Sequence, residues 1–455
     1  MILLSNNKDI VATFIVTSRG SPIETQKVVE SYTSTTSEHN LLGMLHRIAE
    51  VVVSSDRDVE AYARSLEDRV LSYGSKMTDP VQLGSAKNFK VDVRVPSDAL
   101  DWDLDGVPHL LVRFAGNIFR TTEASGIKWV DITFPPGYLE RYDWARPKYG
   151  ISGIKDFYNI SQNQLQPLIG STIQPNIGLT ANEFAILAQN SVKWGADIVI
   201  EDEMLGDLPV ARLRDRIIQV TDRLEQLGKK SMYLVNIMGW SDFIVKELPN
   251  MLKSLNLKNK NVLCGIMLDP VYGGFSLLKN FRRDAECPIF CHYYSISLFI
   301  RNSNFGISTK VLSSLATLSG ADFVYVGHVT GRHIAEAPLV LNYVAKTLRE
   351  NNVYPAISGG INVSNVIANL RSLGLDTLVQ SASGIYGHPL GPKSGFKALR
   401  EMINLCKEKC AFCNHDSISQ CSGFFDLLKK TPELQVLFSN SLPEINPSEQ
   451  KDNND

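Results

Sequence analysis

Three carboxylates stand side by side at Glu201-Asp202-Glu203, directly after the apolar run from Ala196 to Ile200. An apolar strand opening into adjacent acids sets oxygens at its carboxyl end, the rim on which α/β barrels build active sites. Such oxygens suit a hard cation such as Mg²⁺, which takes one or two carboxylates plus water and substrate oxygens. The plain alternative is a solvated acidic loop. His292 and His328 are the residue type for general acid–base work near neutral pH. A histidine with a purely structural hydrogen bond reads the same way in sequence. His328 also sits between Gly327 and Gly331, just before Arg332. That segment reads as a mobile lid whose arginine reaches an anionic group, or as an ordinary surface loop. The small residues of Ser358-Gly359-Gly360 and Ser381-Ala382-Ser383-Gly384 expose backbone N–H groups. A phosphate would be held there by Gly360, Ala382 and Ser383, although tight turns give the same pattern. Tyr293 and Tyr325 read as packing and hydrogen-bonding residues rather than chemical actors.

The elements that must position these groups alternate regularly. Strands are expected at Leu168–Thr172, Ala196–Ile200, Met232–Asn236, Val262–Leu268, Pro288–Tyr293, Asp322–Val326, Tyr354–Ile357 and Thr377–Gln380, each followed by a helical stretch. The helices fall at Glu183–Lys193, Val210–Leu227, Phe243–Leu255, Leu277–Glu286, Thr309–Leu318, Leu339–Glu350, Val363–Leu373 and Lys397–Glu408. Eight strand–helix units in roughly 250 residues define an α/β chain folded as a (β/α)₈ TIM barrel, here over 149–438. Residues 1–148 read as an α+β domain. Its strands lie at Asp9–Val16, Phe89–Val95 and His109–Phe114, and a helix at Ser21–Glu30, with a joint at Trp144–Gly150. The stretch 439–455 is too polar to pack and is expected to be disordered.

At 455 residues the chain calls for two domains, one of them large. A formal net charge of -2 gives no electrostatic case for nucleic acid or an anionic membrane. No apolar run is long enough to span a bilayer, and Met1-Ile-Leu-Leu4 passes at once into polar residues, unlike a signal peptide. Seven cysteines, an odd number, point to reduced thiols and a cytoplasmic setting. Cys406, Cys410 and Cys413, with His415 and Cys421 nearby, offer zinc or cluster ligands. Their helical spacing favours free thiols instead.

Several stretches carry a family resemblance. They include Glu30-Ser-Tyr-Thr-Ser-Thr35, Ala115-Gly-Asn-Ile-Phe119, Asp131-Ile-Thr-Phe-Pro135, Lys148-Tyr-Gly-Ile151 and Pro167 to Pro175. Gly178-Leu-Thr180, the acidic stretch, Arg214-Asp-Arg216, Leu318 to Asp322, Ser358-Gly-Gly360 and Gln380 to Pro389 complete the set. The chain resembles the large subunit of Rubisco, and more closely its non-carboxylating relatives, the Rubisco-like proteins. The resemblance implies an α+β, ferredoxin-like amino-terminal domain on the barrel, in a head-to-tail homodimer with shared active sites. It places Glu30, Thr35 and Asn117 at positions that complete the partner's site. Thr172, Asp202, Glu203, His292, Ser358 and Gly360 match barrel positions of the site.

The departures from that pattern bear on function. The family's carbamate-forming, metal-bridging lysine falls at Ile200, which cannot ligate a cation. Two further lysines fall at Gln174 and Asn176, whose amides do not titrate near neutral pH. The lid lysine falls at Arg332, a substrate-contacting arginine at Tyr293 and a histidine at Tyr325. Ala382 and Ser383 stand where the phosphate cradle has glycines. These changes imply a protein that is not a competent CO₂-fixing carboxylase, with a Mg²⁺ site weakened to Asp202 and Glu203. The expected activity is enolisation, isomerisation or decarboxylation of a phosphorylated sugar or keto acid. The alternative is a non-catalytic ligand-binding or regulatory protein.

Overall fold

Side chains along Asp9–Ser18 (β1) alternate between buried and half-buried, as in a sheet covered on one face. The computed structural model describes residues 8–21, 41–53, 58–73, 76–78, 80–84, 87–103, 106–142, 145–239, 241–333, 336–410 and 423–438. β1 is central in the amino-terminal sheet. It runs antiparallel to Asn88–Pro96 (β4) on one side and to Ala124–Thr133 (β5) on the other. The short strands Lys76–Met77 (β2) and Val81–Leu83 (β3) pair with the outer side of β4. Phe14 of β1 stacks on Trp129 of β5 at 5.9 Å, and Phe114 packs on the same indole at 5.5 Å.

Phe114 belongs to an element whose structure differs from the expected strand. His109–Phe114 is not a strand but part of the helix Gly106–Ala115. Val107, Leu110 and Phe114 are its buried apolar residues, at helical spacing, while Val112 is 69% exposed. In a run this short the apolar content fits both periods, and packing of one helical face decides. Of the helix expected at Ser21–Glu30 only Ser21, which is not helical, is described; the rest lies outside the described residues, as do Thr35 and the tail from 439.

The second unit is a closed barrel of eight parallel strands. In chain order these are Leu168–Thr172 (β6), Ile198–Ile200 (β7), Ser231–Asn236 (β8), Val262–Leu268 (β9), Ile289–Cys291 (β10), Phe323–Tyr325 (β12), Tyr354–Ile357 (β13) and Leu378–Ser381 (β14). All residues of β8 and β9 are buried, the continuous apolar signature of parallel strands covered on both faces. Inside the barrel Gly170 leaves room for its neighbours: a Cβ there would lie 2.7 Å from Ile200 Cδ1 and 3.0 Å from Leu378 Cδ1. The Ile200 side chain therefore fills the barrel interior.

Local chemistry sets the helix ends. Thr180 accepts from the Glu183 N–H while the Glu183 carboxylate accepts from the Thr180 N–H, a capping box that starts the helix Ala181–Trp194. Thr180→Ala is expected to cost about 1 kcal/mol of stability, read as a lower urea midpoint with unchanged slope. The helix expected from Val210 starts only at Leu213, because the residues before it close a small bridge between Leu208 and Ala211.

One element had no counterpart in the sequence reading. Gly306–Ile307 (β11), inserted between β10 and β12, leaves the barrel and pairs in parallel with Lys128 and Trp129 of β5. Lys128 Nζ donates to the carbonyls of Phe299 (3.2 Å) and Asn302 (3.1 Å), tying the same sheet edge to the barrel.

Candidate active site

The acidic triplet divides as soon as β7 ends. Glu201 is fully buried, and its carboxylate accepts from Arg216 Nε at 2.7 Å and Nη2 at 3.1 Å. The same carboxylate also accepts from the Tyr233 hydroxyl and from the Asn236 N–H at 2.9 Å. Glu201 is therefore a structural ion-pair residue. Asp202 and Glu203 turn the other way, half-buried, toward the barrel mouth. The Asn236 side-chain amide donates to the carbonyls of Asp202, Glu203 and Leu205, which fixes this turn. Asp202 Oδ1 accepts from Asn176 Nδ2 at 3.1 Å and from the Met204 N–H at 2.9 Å.

Two adjoining cavities open at this rim. The larger, of about 190 Å³, is lined by Thr172, Asp202, Glu203, Arg332, His333, Ser358, Gly360, Ala382 and Ser383, among others. The smaller, of about 90 Å³, is lined by His292, Tyr293, Tyr294, Ile296, Ser297 and Tyr325. Glu203, His333, Ser358 and Gly359 border both. The candidate residues of six strand ends thus converge.

The cradle after β13 depends on its glycines. Gly359 and Gly360 have φ of +92° and +84°, a region that L side chains rarely adopt. A Cβ on Gly360 would meet Arg332 Cγ at 2.7 Å, so the arginine stem lies across this glycine. The Arg332 N–H donates to the Gly359 carbonyl at 2.9 Å, which closes the strand-six loop onto the strand-seven turn. Thr172 is buried and accepts from Gln380 Nε2 at 3.0 Å.

His292 is 5% exposed, its ring stacked on Tyr325 at 5.2 Å, and neither ring nitrogen has a hydrogen-bond partner. Burial pushes its imidazole down to about 4, against the opposing pull of Asp269 and Asp202. It is a neutral base at physiological pH. Burial, and then the charge of Asp202, hold the Glu203 carboxyl above its usual range. Tyr293 is fully buried and donates to the Leu312 carbonyl at 2.6 Å.

The His292 shift has a consequence for stability. The unfolded chain protonates His292 near 6.5 and the folded chain near 4. Between these values the unfolded state binds more protons, so stability falls as pH drops through this window, by roughly 3 kcal/mol in all. Glu203 acts in the opposite direction, since a raised carboxyl favours the fold on protonation. Comparing wild type with His292→Asn isolates the histidine: the variant should show a flatter pH–stability curve between about pH 6.5 and 4 in urea titrations.

The sequence candidates are not all on these walls. His328 is buried against Gly359, and its Nε2 accepts the His333 N–H at 3.1 Å, so it anchors the loop. His333, absent from the sequence candidates, borders both cavities. The one signal for it was its place directly after Arg332. Gln174 is half-buried, and the Asn176 amide is engaged with Asp202. Asn117 is exposed on the amino-terminal domain and lines neither cavity. Cys406 is buried, whereas Cys413, His415 and Cys421 lie outside the described residues.

The donors do not fit the Mg²⁺ that the resemblance implies. Ile200 offers no ligand, Glu201 is consumed by Arg216, and Asp202 is partly satisfied by two N–H donors. Glu203, its carboxyl raised by burial and then by the charge of Asp202, is left as a single further donor. Among the described residues no group of three or more His, Cys, Asp or Glu side chains is arranged to hold a metal ion.

Comparison with known proteins agrees with this architecture. The family model described as the ribulose bisphosphate carboxylase large chain, catalytic domain, matches residues 153–439. The chain belongs to that family. A ribulose bisphosphate carboxylase of Methanocaldococcus jannaschii is 27% identical over 352 residues, covering 72% of this chain and 80% of the relative. Among solved structures, a dimeric archaeal Rubisco from Hyperthermus butylicus is similar with a TM-score of 0.73 at 22% identity, covering 96% of each chain. A rubisco-like protein from Burkholderia fungorum is similar with a TM-score of 0.70 at 19% identity, covering 95% of this chain and 100% of that one. No helix among the described residues is long and apolar enough to cross a membrane.

Proposed function

We propose that this chain is a non-carboxylating member of the family that moves a proton on a phosphorylated sugar or keto acid, by enolisation, isomerisation or decarboxylation. One observation carries the reading. A buried, neutral, unpartnered imidazole, His292, lies in a cavity continuous with a cradle of small residues beneath Arg332. A base whose pKa lies below the operating pH is already in its accepting form. Arg332 and the backbone of the strand-seven and strand-eight turns hold the anionic group, which orients the carbon acid toward His292. Carboxylation is disfavoured because the amides Gln174 and Asn176 and the apolar Ile200 replace the three amines.

In this reading the protein works in the cytoplasm as a homodimer. The exposed Asn117, which lines neither cavity of its own chain, completes a second subunit's site in this reading. The test is proton exchange in D₂O with a panel of ketose and aldose phosphates, followed by NMR. Loss of an α-proton signal is expected for at least one sugar phosphate. Absence of exchange for the whole panel, together with no binding, would sink the assignment. The second reading, a ligand-binding protein without catalysis, is favoured by the Asn176 amide on Asp202. It predicts binding without exchange.

A further inference from the structure

We propose that His333 is a second proton carrier: while His292 takes a proton from carbon, His333 gives one to the neighbouring carbonyl oxygen at the junction of the two cavities. This rests on the proton-moving reading above and adds the acid that enolisation needs beside its base.

Glu203, His333, Ser358 and Gly359 border both cavities, so a ligand that reaches from one into the other passes between them. Of these, His333 brings an imidazole, which can give a proton and take it back. Its place is fixed from two sides. The His333 N–H donates to Nε2 of the buried His328 at 3.1 Å, and the two rings lie 6.3 Å apart. Gly359 packs against both, since a Cβ there would run into the His333 and His328 rings. Because Nε2 of His328 accepts, the proton of its neutral ring sits on Nδ1, and His328 is a positioning residue. Burial and then the charge of Asp202 raise the Glu203 carboxyl, while the charge of His333 pulls it back. The His333 imidazole is thus within electrostatic reach of that carboxylate.

The step balances. His292, with both ring nitrogens unpartnered, accepts the proton of the carbon beside the carbonyl. The C–H electron pair becomes the C=C bond, and the carbonyl π pair moves onto oxygen, where it binds the proton that protonated His333 gives up. His292 ends as imidazolium, His333 as neutral imidazole and the ligand as its enol. Return of a proton to carbon from His292 and of the oxygen proton to His333 closes the cycle. Two other donors fit less well. Glu203, when ionised, has no proton to give and adds to the charge developing on the oxygen, whereas an imidazolium offsets it. Tyr325 is stacked on His292, lines the smaller cavity alone, and has its hydroxyl made a weaker acid by burial.

Deuterium exchange on the same sugar-phosphate panel, followed by NMR, tests this in wild type, His333→Ala and His333→Gln. Both variants should lose about 10²–10⁴-fold in exchange rate, with ligand affinity little changed. Glutamine can still donate a hydrogen bond but cannot transfer a proton, so it should recover nothing over alanine. Because His333 is exposed, both variants should keep the wild-type urea midpoint, and added imidazole should restore part of the exchange to His333→Ala. A residue that only shaped the loop would give no such rescue. Wild-type exchange in His333→Ala would overturn the assignment while leaving His292 and the proton-moving reading standing. A loss then found in Glu203→Gln or Tyr325→Phe would move the acid there. Recovery by His333→Gln without rescue by imidazole would overturn it too. If the wild type exchanges nothing on the panel, the reading above fails and this inference falls with it.

Discussion

Replacing Arg216 by methionine should lower the stability of the protein by about 3–5 kcal/mol, the cost of stranding a buried carboxylate. Arg216 and Glu201 are both fully buried and joined by two hydrogen bonds, with Tyr233 and the Asn236 N–H on the same carboxylate. With the guanidinium gone, Glu201 must take up a proton or remain an uncompensated charge. The double variant Arg216→Met with Glu201→Leu should recover a large part of the loss, since an apolar pair of similar volume avoids the desolvation of both ions. Urea unfolding of the single and double variants measures it. A single variant within 1 kcal/mol of wild type would show that the pair is not the linchpin of the β7 turn.

His292→Asn should reduce proton exchange on a turned-over sugar phosphate by about 10²–10⁴-fold, the range for one positioned acid–base group. Ligand affinity should change much less, because the proposed function assigns the anionic group to Arg332 and the strand-seven turn. The division between a large loss of turnover and a small loss of binding separates a proton carrier from a residue that shapes the cavity. The pH profile adds a second check. Activity should be flat from about pH 8 down to about pH 6 and decline toward the His292 value near 4. If His292→Asn keeps wild-type turnover, His333 is the next group to test.

The barrel was legible because parallel strands buried on both faces write unbroken apolar runs, and β6, β9 and β13 appear at the positions expected from the sequence. Ends were less legible. β10 and β12 stop short of Tyr293 and Val326, since ladder hydrogen bonds, not apolar content, define a strand. The helix at Gly106–Ala115 is hard to read because the apolar run Leu110-Leu111-Val112, followed after Arg113 by Phe114, fits either period. At the barrel mouth, types and strand ends pointed to His292, Glu203, Arg332 and the small residues that line the two cavities. What could not be read was the direction of side chains. Glu201 looks like its two neighbours in sequence, yet faces Arg216 on the helix that follows. His328 looks like the lid histidine, yet His333 is the one at the cavity wall.

The two-residue strand β11 bears on how the mouth can close. Because barrel residues supply the outermost strand of the amino-terminal sheet, and Lys128 is moored to Phe299 and Asn302, swinging the two domains apart would tear a ladder and strip a buried ammonium of its acceptors. Domain rocking is thereby disfavoured within one subunit. Access to the cavities is left to the Gly327–His333 loop, clipped by the Arg332-to-Gly359 hydrogen bond. Admission of ligand is in this sense a matter of a single clasp rather than of a jaw.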